Sequence, residues 1–540
     1  MAANLSFRKL HAVHAWTGVI TALVLFVIVL TGAVAVFARV EVAAWADPSI
    51  GPRLSEDFRY DATVRAGLER FSRDHGAHGL IIVFPPRPGS GVGHVSIAEG
   101  GGHSHDGMVY QYDAGAGGRL RAAKPGDTEI LYKTDWTTPL SSFLVHLHTD
   151  LWLPAPWGRF ATGFLGLTLL ISAVSGVVIH RKLFRRMFSF RRGRSRAVTV
   201  RELHKTLGVW TLLFNLMIGF TGTLLSFATA LLLPAVALVS FGGDMERIEA
   251  TFVGAGAPSG VYARTADLDG LMRDVGARAP GFQPTIVHLH HFDDAGALVD
   301  ISGFEPGNAS QVKYRYHGAS GAFAARLDGI SDTAALSKTL ALLLGLHFGN
   351  FAGPAVKAVW SVLGIVSSLL VLTGMMTWIE RRALRAGARA RRGHAVLSRL
   401  TAGVGFGLPL ALAGVFAAAH LTGGPASMAV IQTVFWAGLV LSFCGMLRVR
   451  DLRAGMAFGA GVTGMLWLLA PALKATAGGE PFWQAFARLR FAAGVADLVL
   501  IGLGVLFMLL ALRLARRGTV THDPLPVGTA PRGPVNQAAE

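Results

Sequence analysis

The chain has 540 residues, of which 52% are hydrophobic and 15% are charged, whereas about 25% of the residues in soluble domains are charged. This composition, with a mean hydropathy of +0.46, excludes a disordered chain and an ordinary soluble enzyme. The single cysteine, Cys444, excludes an internal disulfide, a covalent CxxCH haem attachment and a cysteine-ligated iron–sulfur cluster. A redox cofactor would therefore depend on other ligands, and 19 histidines are present.

Eight apolar runs predict eight transmembrane helices, because a bilayer core of about 30 Å requires about 20 apolar helical residues. The first run follows a basic start, as in a signal peptide, but it exceeds the about 7–15 residues of a signal-peptide core and favours an uncleaved helix. The runs are Trp16–Ala38, Phe160–Ile179, Thr206–Gly243 with a break at Pro234, Ala358–Trp378, and residues 400–419, 427–447, 455–473 and 493–512.

Basic residues collect on one side of these predicted helices. Arg8 and Lys9 precede the first helix. Further clusters lie within residues 181–205, 381–392, 448–453 and 513–517. Because Lys and Arg accumulate in cytoplasmic loops, the pattern predicts that both termini are cytoplasmic. The net charge of +17 is then explained by membrane topology. It does not indicate nucleic-acid binding, which is rejected.

Two long segments remain on the external side, and each predicts a small α+β module. The first has a helix at 61–75 and strands at 79–84 and 107–112; the second has a helix at 265–277 and strands at 285–290, 297–301 and 311–316. The predicted fold is a mostly α integral membrane protein with a duplicated helix–module–helix core and a C-terminal four-helix region.

These segments divide the chain as follows. Transmembrane helix 1 is 1–40, external module 1 is 41–145, helix 2 is 146–182, the basic cytoplasmic loop is 183–205, helix 3 is 206–234, external module 2 is 235–345, helix 4 is 346–382, the C-terminal region is 395–515, and a disordered cytoplasmic tail is 516–540.

The repeat also relates histidines in the two halves of the core. A shift of 190 residues places His14 on His204, and His148 aligns with His347. The aligned segments also share Thr31-Gly32 with Thr221-Gly222 and Ser175-Gly176 with Thr373-Gly374. Both copies have the same topology, so their pseudo-twofold axis lies along the membrane normal and can bring each histidine pair face to face.

Two facing imidazoles are the axial ligands that a low-spin haem b requires. We therefore expect two b haems, one held by His14 and His204 at the cytoplasmic end and one by His148 and His347 at the external end. His180 is an alternative ligand that breaks the symmetry. His11 and His146 are further alternative ligands because they lie close to His14 and His148 in the sequence. The glycines that recur in both halves are compatible with space for a macrocycle or with close packing of the helices.

A second cluster of histidines lies in the external modules. Strand alternation places His288 and His290 on one face, and with His103 and His105 they could bind a metal or a ferric chelate. A polar, solvated strand and loop is the favoured interpretation.

Several segments together resemble the PepSY-associated transmembrane family over about residues 1–385. They are Leu10–Gly18 with Thr31-Gly32, Leu203–Gly208 with Thr221-Gly222, and the run from His146-Leu-His148 through Ser175-Gly176 to His180-Arg181. The resemblance implies PepSY-like periplasmic modules in an iron-regulated protein of the bacterial inner membrane. Similar members include ferric-siderophore reductases with two b haems, which implies His14, His204, His148 and His347 as ligands.

We therefore expect a haem protein that reduces a ferric siderophore or another periplasmic ferric chelate. Its electron donor would be quinol or a cytoplasmic flavoprotein reductase. The alternative is a non-enzymatic membrane sensor or siderophore-transport accessory protein whose modules bind a ligand or a protein. The extra region 395–515 could dock a partner, bind quinol or only oligomerise.

Overall fold

In the residues that it describes, the computed structural model contains eight helices that are long and apolar enough to cross a membrane, and one β-sheet. The eight expected membrane-spanning helices are thus confirmed. The structure describes residues 2–46, 57–86, 92–99, 107–126, 138–180, 196–232, 235, 238–240, 242, 258–306, 312–328, 335–349, 351, 353–383, 387–421, 426–488 and 491–516. The expected break at Pro234, most of the basic loop 183–205 and the tail beyond Arg516 lie outside these residues.

The elements are numbered here in chain order. The helices are α1 (Ala2–Phe37), α2 (Ala43–Ala46), α3 (Tyr60–His75), α4 (Pro139–Thr149), α5 (Trp157–Ile179), α6 (Arg196–Trp210), α7 (Leu212–Phe227), α8 (Leu268–Arg278), α9 (Ala335–Phe348), α10 (Gly353–Ala383), α11 (Ala388–Ala418), α12 (Met428–Arg448), α13 (Leu452–Thr476), α14 (Phe482–Ala487) and α15 (Phe491–Arg516). The strands are β1 (His78–Phe84), β2 (Val92–Glu99), β3 (Gly107–Asp113), β4 (Arg119–Pro125), β5 (Gln283–His290), β6 (Leu298–Phe304), β7 (Val312–His317) and β8 (Phe323–Asp328).

The membrane helices have two distinct ends. We call the end that carries the β-sheet the sheet end, and the opposite end the basic end. At the basic end, Arg382 lies over the rings of Trp16 and Trp378 at 5.0 and 4.6 Å. Arg399 donates there to the carbonyl oxygens of Leu447 and Val449. These contacts join the basic termini of α1, α10, α11 and α12 on one side of the bundle.

Short helices precede three of the membrane-spanning helices. The sequence analysis did not predict these short helices. Helix α4 is separate from α5 because the chain turns at Leu151 and Trp152, which both have a positive φ. Pro154 and Pro156 follow this turn. Helix α9 is separated from α10 at Gly349 and Gly353, where φ is also positive. Residues 196–205, expected in the basic loop, are helical in α6.

The two external modules form one continuous antiparallel sheet. Its strand order is β4-β3-β2-β1-β5-β6-β7-β8, so each module is a four-stranded meander and the two meet along β1 and β5. The register at this seam pairs Ile82 with His288. The sequence analysis predicted two modules but did not predict their pairing into one sheet, and it missed strands β2, β4 and β8. Strands β4 (RLRAAKP) and β8 (FAARLD) are the two edge strands, and neither shows a sustained alternation of apolar and polar residues.

Helices α3 and α8 cover one face of this sheet. Val64 and Phe71 of α3 are fully buried, and Val275 of α8 is 1% exposed. They pack on an apolar strand face that includes Ile81 and Leu289. Because alternate strand residues point to opposite faces, the polar residues of β5, β6 and β7 lie on the other side.

Contacts of charged side chains also stabilise the interface between the two modules. The carboxylate of Asp269, in α8, accepts the backbone N–H groups of Tyr60 and Asp61 at 2.8 and 3.1 Å, which caps the start of α3 from the other module. Arg65 of α3 pairs with Asp293 of module 2 at 3.1 Å. The modules therefore behave as one domain by both sheet pairing and capping.

The C-terminal helices pack on the core through a buried polar cluster. Lys474 of α13 and Asp497 of α15 form an ion pair at 2.7 Å, with exposures of 2% and 1%. Trp45 of α2 donates its indole N–H to the same carboxylate at 2.7 Å, and the His420 ring lies 4.8 Å from the Trp45 ring. The sequence analysis did not find this contact.

The ion pair gives a stability prediction. Asp497→Leu leaves the Lys474 ammonium buried without its carboxylate, so we expect a loss of about 3–5 kcal/mol in the free energy of unfolding. The double variant Lys474→Met/Asp497→Leu removes both charges and should recover most of that loss. Thermal unfolding of the full-length chain in detergent measures both; equal destabilisation by the two variants would contradict the assignment.

Candidate functional site

The pair at the sheet end is formed by His148 and His347. His148 lies near the end of α4 and His347 near the end of α9. Their ring centroids are 6.3 Å apart, and the ring planes differ by 26°. The pseudo-twofold relation of the two halves therefore brings these imidazoles together, although both lie on short helices before the spans and not on the spans themselves.

The pair at the basic end is formed by His14 and His204. His14 lies in the fourth turn of α1 and His204 lies in α6. Their ring centroids are 6.4 Å apart, with an interplanar angle of 64°. Along α1, His14 and Gly32, which contacts His148, are separated by about 27 Å at 1.5 Å per residue. The two pairs thus lie at opposite ends of the core.

Each imidazole is held through Nδ1 by an oxygen of its own half of the chain. His148 and His204 donate to the carbonyl oxygens of Ile28 and Leu370, both at 3.0 Å. A carbonyl only accepts, so Nδ1 carries the proton and Nε2 carries the lone pair. This orientation leaves Nε2 as the nitrogen available to a metal.

The other member of each pair uses a hydroxyl. His347 Nδ1 lies 2.9 Å from Thr221 Oγ1, and that hydroxyl donates to the carbonyl of Met217 at 2.8 Å. The hydroxyl proton is therefore occupied, and the oxygen accepts from His347. His14 Nδ1 lies 3.0 Å from both the carbonyl of Ser172 and the hydroxyl of Ser175, which leads to the same protonation.

Four glycines make room for the four rings. A Cβ at Gly32 would lie 2.8 Å from His148 Cε1, and a Cβ at Gly374 would lie 2.9 Å from His204 Cε1. At Gly222 and Gly176 the corresponding distances, to Cε1 of His347 and His14, are 3.2 and 3.4 Å. The recurring Ser/Thr-Gly pairs of the repeat thus seat the imidazoles. The repeat of these pairs was visible in the sequence, but their contacts with the histidine rings were not predicted from it.

The alternative ligands are placed differently. His146 is buried, with its Nδ1 2.8 Å from the Asp150 carboxylate and its ring 4.9 Å from that of Trp152. His11 and His180 are exposed near the basic end. The described hydrogen bonds and ring contacts of these three side chains do not include any of the paired imidazoles, although His11 and His180 lie close enough to His14 to interact with it electrostatically.

The external histidines lie on the polar face of the sheet. The rings of His288 and His290 stack at 6.0 Å, as the strand alternation predicts. Asp300 of β6, fully buried, pairs with Lys313 at 3.0 Å and with Arg315 at 2.7 Å. His103 and His105 lie outside the described residues. Within the described part of the chain, no group of three or more His, Cys, Asp or Glu residues is arranged to hold a metal ion.

A large cavity reaches the pair at the sheet end. Its volume is about 2900 Å³, and its lining includes His148, His347 and both of their glycines. Gln283 and Phe304, at the membrane-facing ends of β5 and β6, line it as well. The cavity therefore connects the sheet domain with the histidines at this end of the core.

The glycine contacts can be tested within one helix. Gly32→Ala should push the His148 ring out of place and lower the free energy of unfolding by about 1–3 kcal/mol. Gly18→Ala, on the same helix, is the control, because nothing lies within 4 Å of a Cβ there. Thermal unfolding of the full-length protein measures both variants; an equal response would show that the glycines do not seat the rings.

The buried sheet histidines predict a pH dependence. Burial lowers the pKa of His288 to about 3 and that of His290 to about 4, from 6.5. Between about pH 6.5 and 4 the unfolded chain binds protons that the folded chain excludes, so stability falls as the pH falls. The double variant His288→Gln/His290→Gln should flatten the unfolding midpoint against pH in this window, and an unchanged slope would contradict the prediction.

Comparison with known proteins identifies the family. A model of the PepSY-associated TM region matches residues 11–381. The chain is also 30% identical over 290 residues to the uncharacterized protein PA4219 of Pseudomonas aeruginosa, an alignment that covers 51% of this chain and 71% of the relative. The matched region contains all four paired histidines and ends before α11. The chain is a multi-pass membrane protein that belongs to the PepSY-associated transmembrane family.

Proposed function

We propose that the protein is an inner-membrane haem b electron-transfer protein that reduces ferric iron, carried by siderophores or other chelates, in the periplasm. The observation that supports this most strongly is the separation of the paired imidazoles. Both pairs have ring centroids 6.3–6.4 Å apart. They lie at opposite ends of a bundle built by duplication.

This separation fits an iron atom between two imidazoles. A metal–nitrogen bond to imidazole is about 2.0–2.1 Å, so a metal held between two imidazole nitrogens would separate the ring centroids by about 6 Å. Ordinary aromatic pairs span about 4.5–7 Å, so the support comes from the same separation in both symmetry-related pairs and from the Nδ1 hydrogen bonds that leave the lone pair on each Nε2. The geometry therefore supports His14 with His204, and His148 with His347, as the residues that hold two b haems.

The surrounding residues suit that role. A haem with two imidazole ligands supplies a one-electron carrier that alternates between ferric and ferrous iron. The Nδ1 hydrogen bonds orient each ring and increase the basicity of Nε2. The cavity beside His148 and His347 offers room for a macrocycle, and the apolar helices exclude water.

The sheet domain and the charge distribution support the direction of transfer. Because basic residues mark the cytoplasmic side, the basic end would face the cytoplasm, with both termini, and the sheet the periplasm. Electrons would enter at the His14–His204 end, from quinol or a cytoplasmic flavoprotein reductase, and leave at the His148–His347 end. There the cavity meets β5 and β6, where a ferric chelate can approach.

Reduction would release the metal from its chelate. Hard oxygen ligands hold the smaller and more highly charged ferric ion much more tightly than the ferrous ion. One electron per iron is therefore sufficient, and no bond of the organic ligand has to break. The protein's part in this chemistry is to position the electron carriers and to admit the chelate.

Substitution of the histidines tests the proposal. His14→Ala or His204→Ala should remove one haem, and His148→Ala or His347→Ala should remove the other, so the haem content falls from two per chain to one. His11→Ala and His180→Ala are controls that should keep both. Haem stoichiometry and the Soret band of the purified protein are the measurements.

The alternative function predicts a different result. A colourless protein after expression with haem supplied would favour a non-enzymatic sensor or siderophore-transport accessory protein. A full haem content in all four variants would overturn the ligand assignment.

A further inference from the structure

We propose that the C-terminal helices and α10 form a binding site for a membrane quinol at the basic end, and that this quinol donates the electrons. The inference rests on the proposed function and names its donor. The cavity described above continues along α10 from the sheet end to Glu380, close to the basic terminus of that helix. Its far wall consists of α11, α13 and α15, which lie outside the family match.

The lining of this part of the cavity is amphipathic along its length. Leu372 and Met376 of α10, Phe406 of α11 and Phe507 of α15 provide apolar walls. Polar groups collect at the basic end, where the lining consists of Glu380, Ser398, Thr401, Asp451 and Arg453. A molecule with a small polar head and a long apolar tail matches this order, and a quinol with an isoprenoid tail is such a molecule.

The backbone of α11 supplies an acceptor next to the polar end. Pro409 lies inside this helix and has no N–H, so the carbonyl of Gly405, four residues earlier, lacks its usual helical donor. Gly405 lines the cavity, so the backbone of α11 borders it at this position. A hydroxyl of a quinol ring is a suitable donor to such a carbonyl.

The described polar side chains at this end suit a ring that carries hydroxyl groups. Among the described lining residues there, Glu380 and Asp451 carry carboxylates and Arg453 carries a guanidinium. The guanidinium donates through Nε to the carbonyl of Leu514 at 2.9 Å. A carboxylate accepts a hydrogen bond from a hydroxyl group, and a dihydroxy ring carries two such donors.

Helix α10 brings the site close to the histidines at the basic end. Glu380 and Met376 lie on its cavity side, while Leu370 accepts the hydrogen bond of His204 and Gly374 contacts the His204 ring. The two sides of a helix are about 10 Å apart. A quinol ring beside Met376 would therefore lie about one helix diameter from the His14–His204 pair.

The chemistry balances with the ferric substrate as the oxidant. Both O–H bonds of the quinol break, and it leaves as the quinone after losing two protons and two electrons. The protons pass one at a time to the Glu380 carboxylate and on to water at the basic end. The electrons leave one at a time through the core, so each quinol reduces two ferric ions to ferrous ions.

Binding can be measured without reference to turnover. Ala402 lines the cavity beside Thr401, so Ala402→Phe should fill it and weaken binding of decylubiquinone to the purified full-length protein about tenfold or more. Ala437→Phe, at an exposed position of α12, is the matched control and should bind like the wild type. Unfolding midpoints show whether each variant is folded.

Glu380→Gln tests the proton acceptor and separates the two proposals. It should keep decylubiquinone binding within about twofold of the wild type but slow haem reduction by decylubiquinol at least about tenfold. Reduction by dithionite should be unchanged, and the dithionite-reduced protein should still reduce a ferric chelate. Wild-type protein that transfers electrons from dithionite but neither binds decylubiquinone nor accepts electrons from decylubiquinol overturns the quinol site alone.

Two further outcomes also count against the quinol site. One is a phospholipid that stays in the cavity and is not displaced by decylubiquinone. The other is Ala402→Phe binding decylubiquinone as tightly as Ala437→Phe. Failure of the dithionite-reduced protein to reduce any ferric chelate would instead overturn the proposed function.

Discussion

The hydrogen bond from each histidine Nδ1 to an oxygen of a neighbouring helix is the interaction on which the site depends. It fixes the tautomer and the direction of the ring at the same time, because the accepting oxygen lies on a rigid helix. The glycine beside each ring then determines how closely the helices approach. Without both features, an imidazole at a helix end would turn toward the membrane surface, where its polar edge is solvated.

The sequence predicted the parts of the site that depend on local periodicity and on the repeat. Eight apolar runs gave the spans, and the shift that aligns His14 with His204 gave the pairing. The contacts of Ser175, Thr221 and Gly374 with the imidazole rings could not be predicted from the sequence. They join helices that are more than 100 residues apart in the chain. Local signals do not encode such contacts.

Two larger features were missed for similar reasons. The joining of the modules through β1 and β5 depends on an edge-to-edge pairing that is not present in either module alone. The Lys474–Asp497 pair with Trp45 arises from three elements, and each charge by itself resembles an ordinary residue near a helix end. Both features tie separate parts of the chain together, and both combine an apolar interface with a few directional polar contacts, as buried polar networks commonly do.

All four supporting contacts stay within one half of the chain. His14 and His148 are held by α5 and α1 of the first half, and His204 and His347 are held by α10 and α7 of the second. Among the described contacts, the two halves face each other at each site through the paired imidazoles. Each half therefore holds its own two rings, and two copies of one half related by a twofold axis would place the same rings face to face.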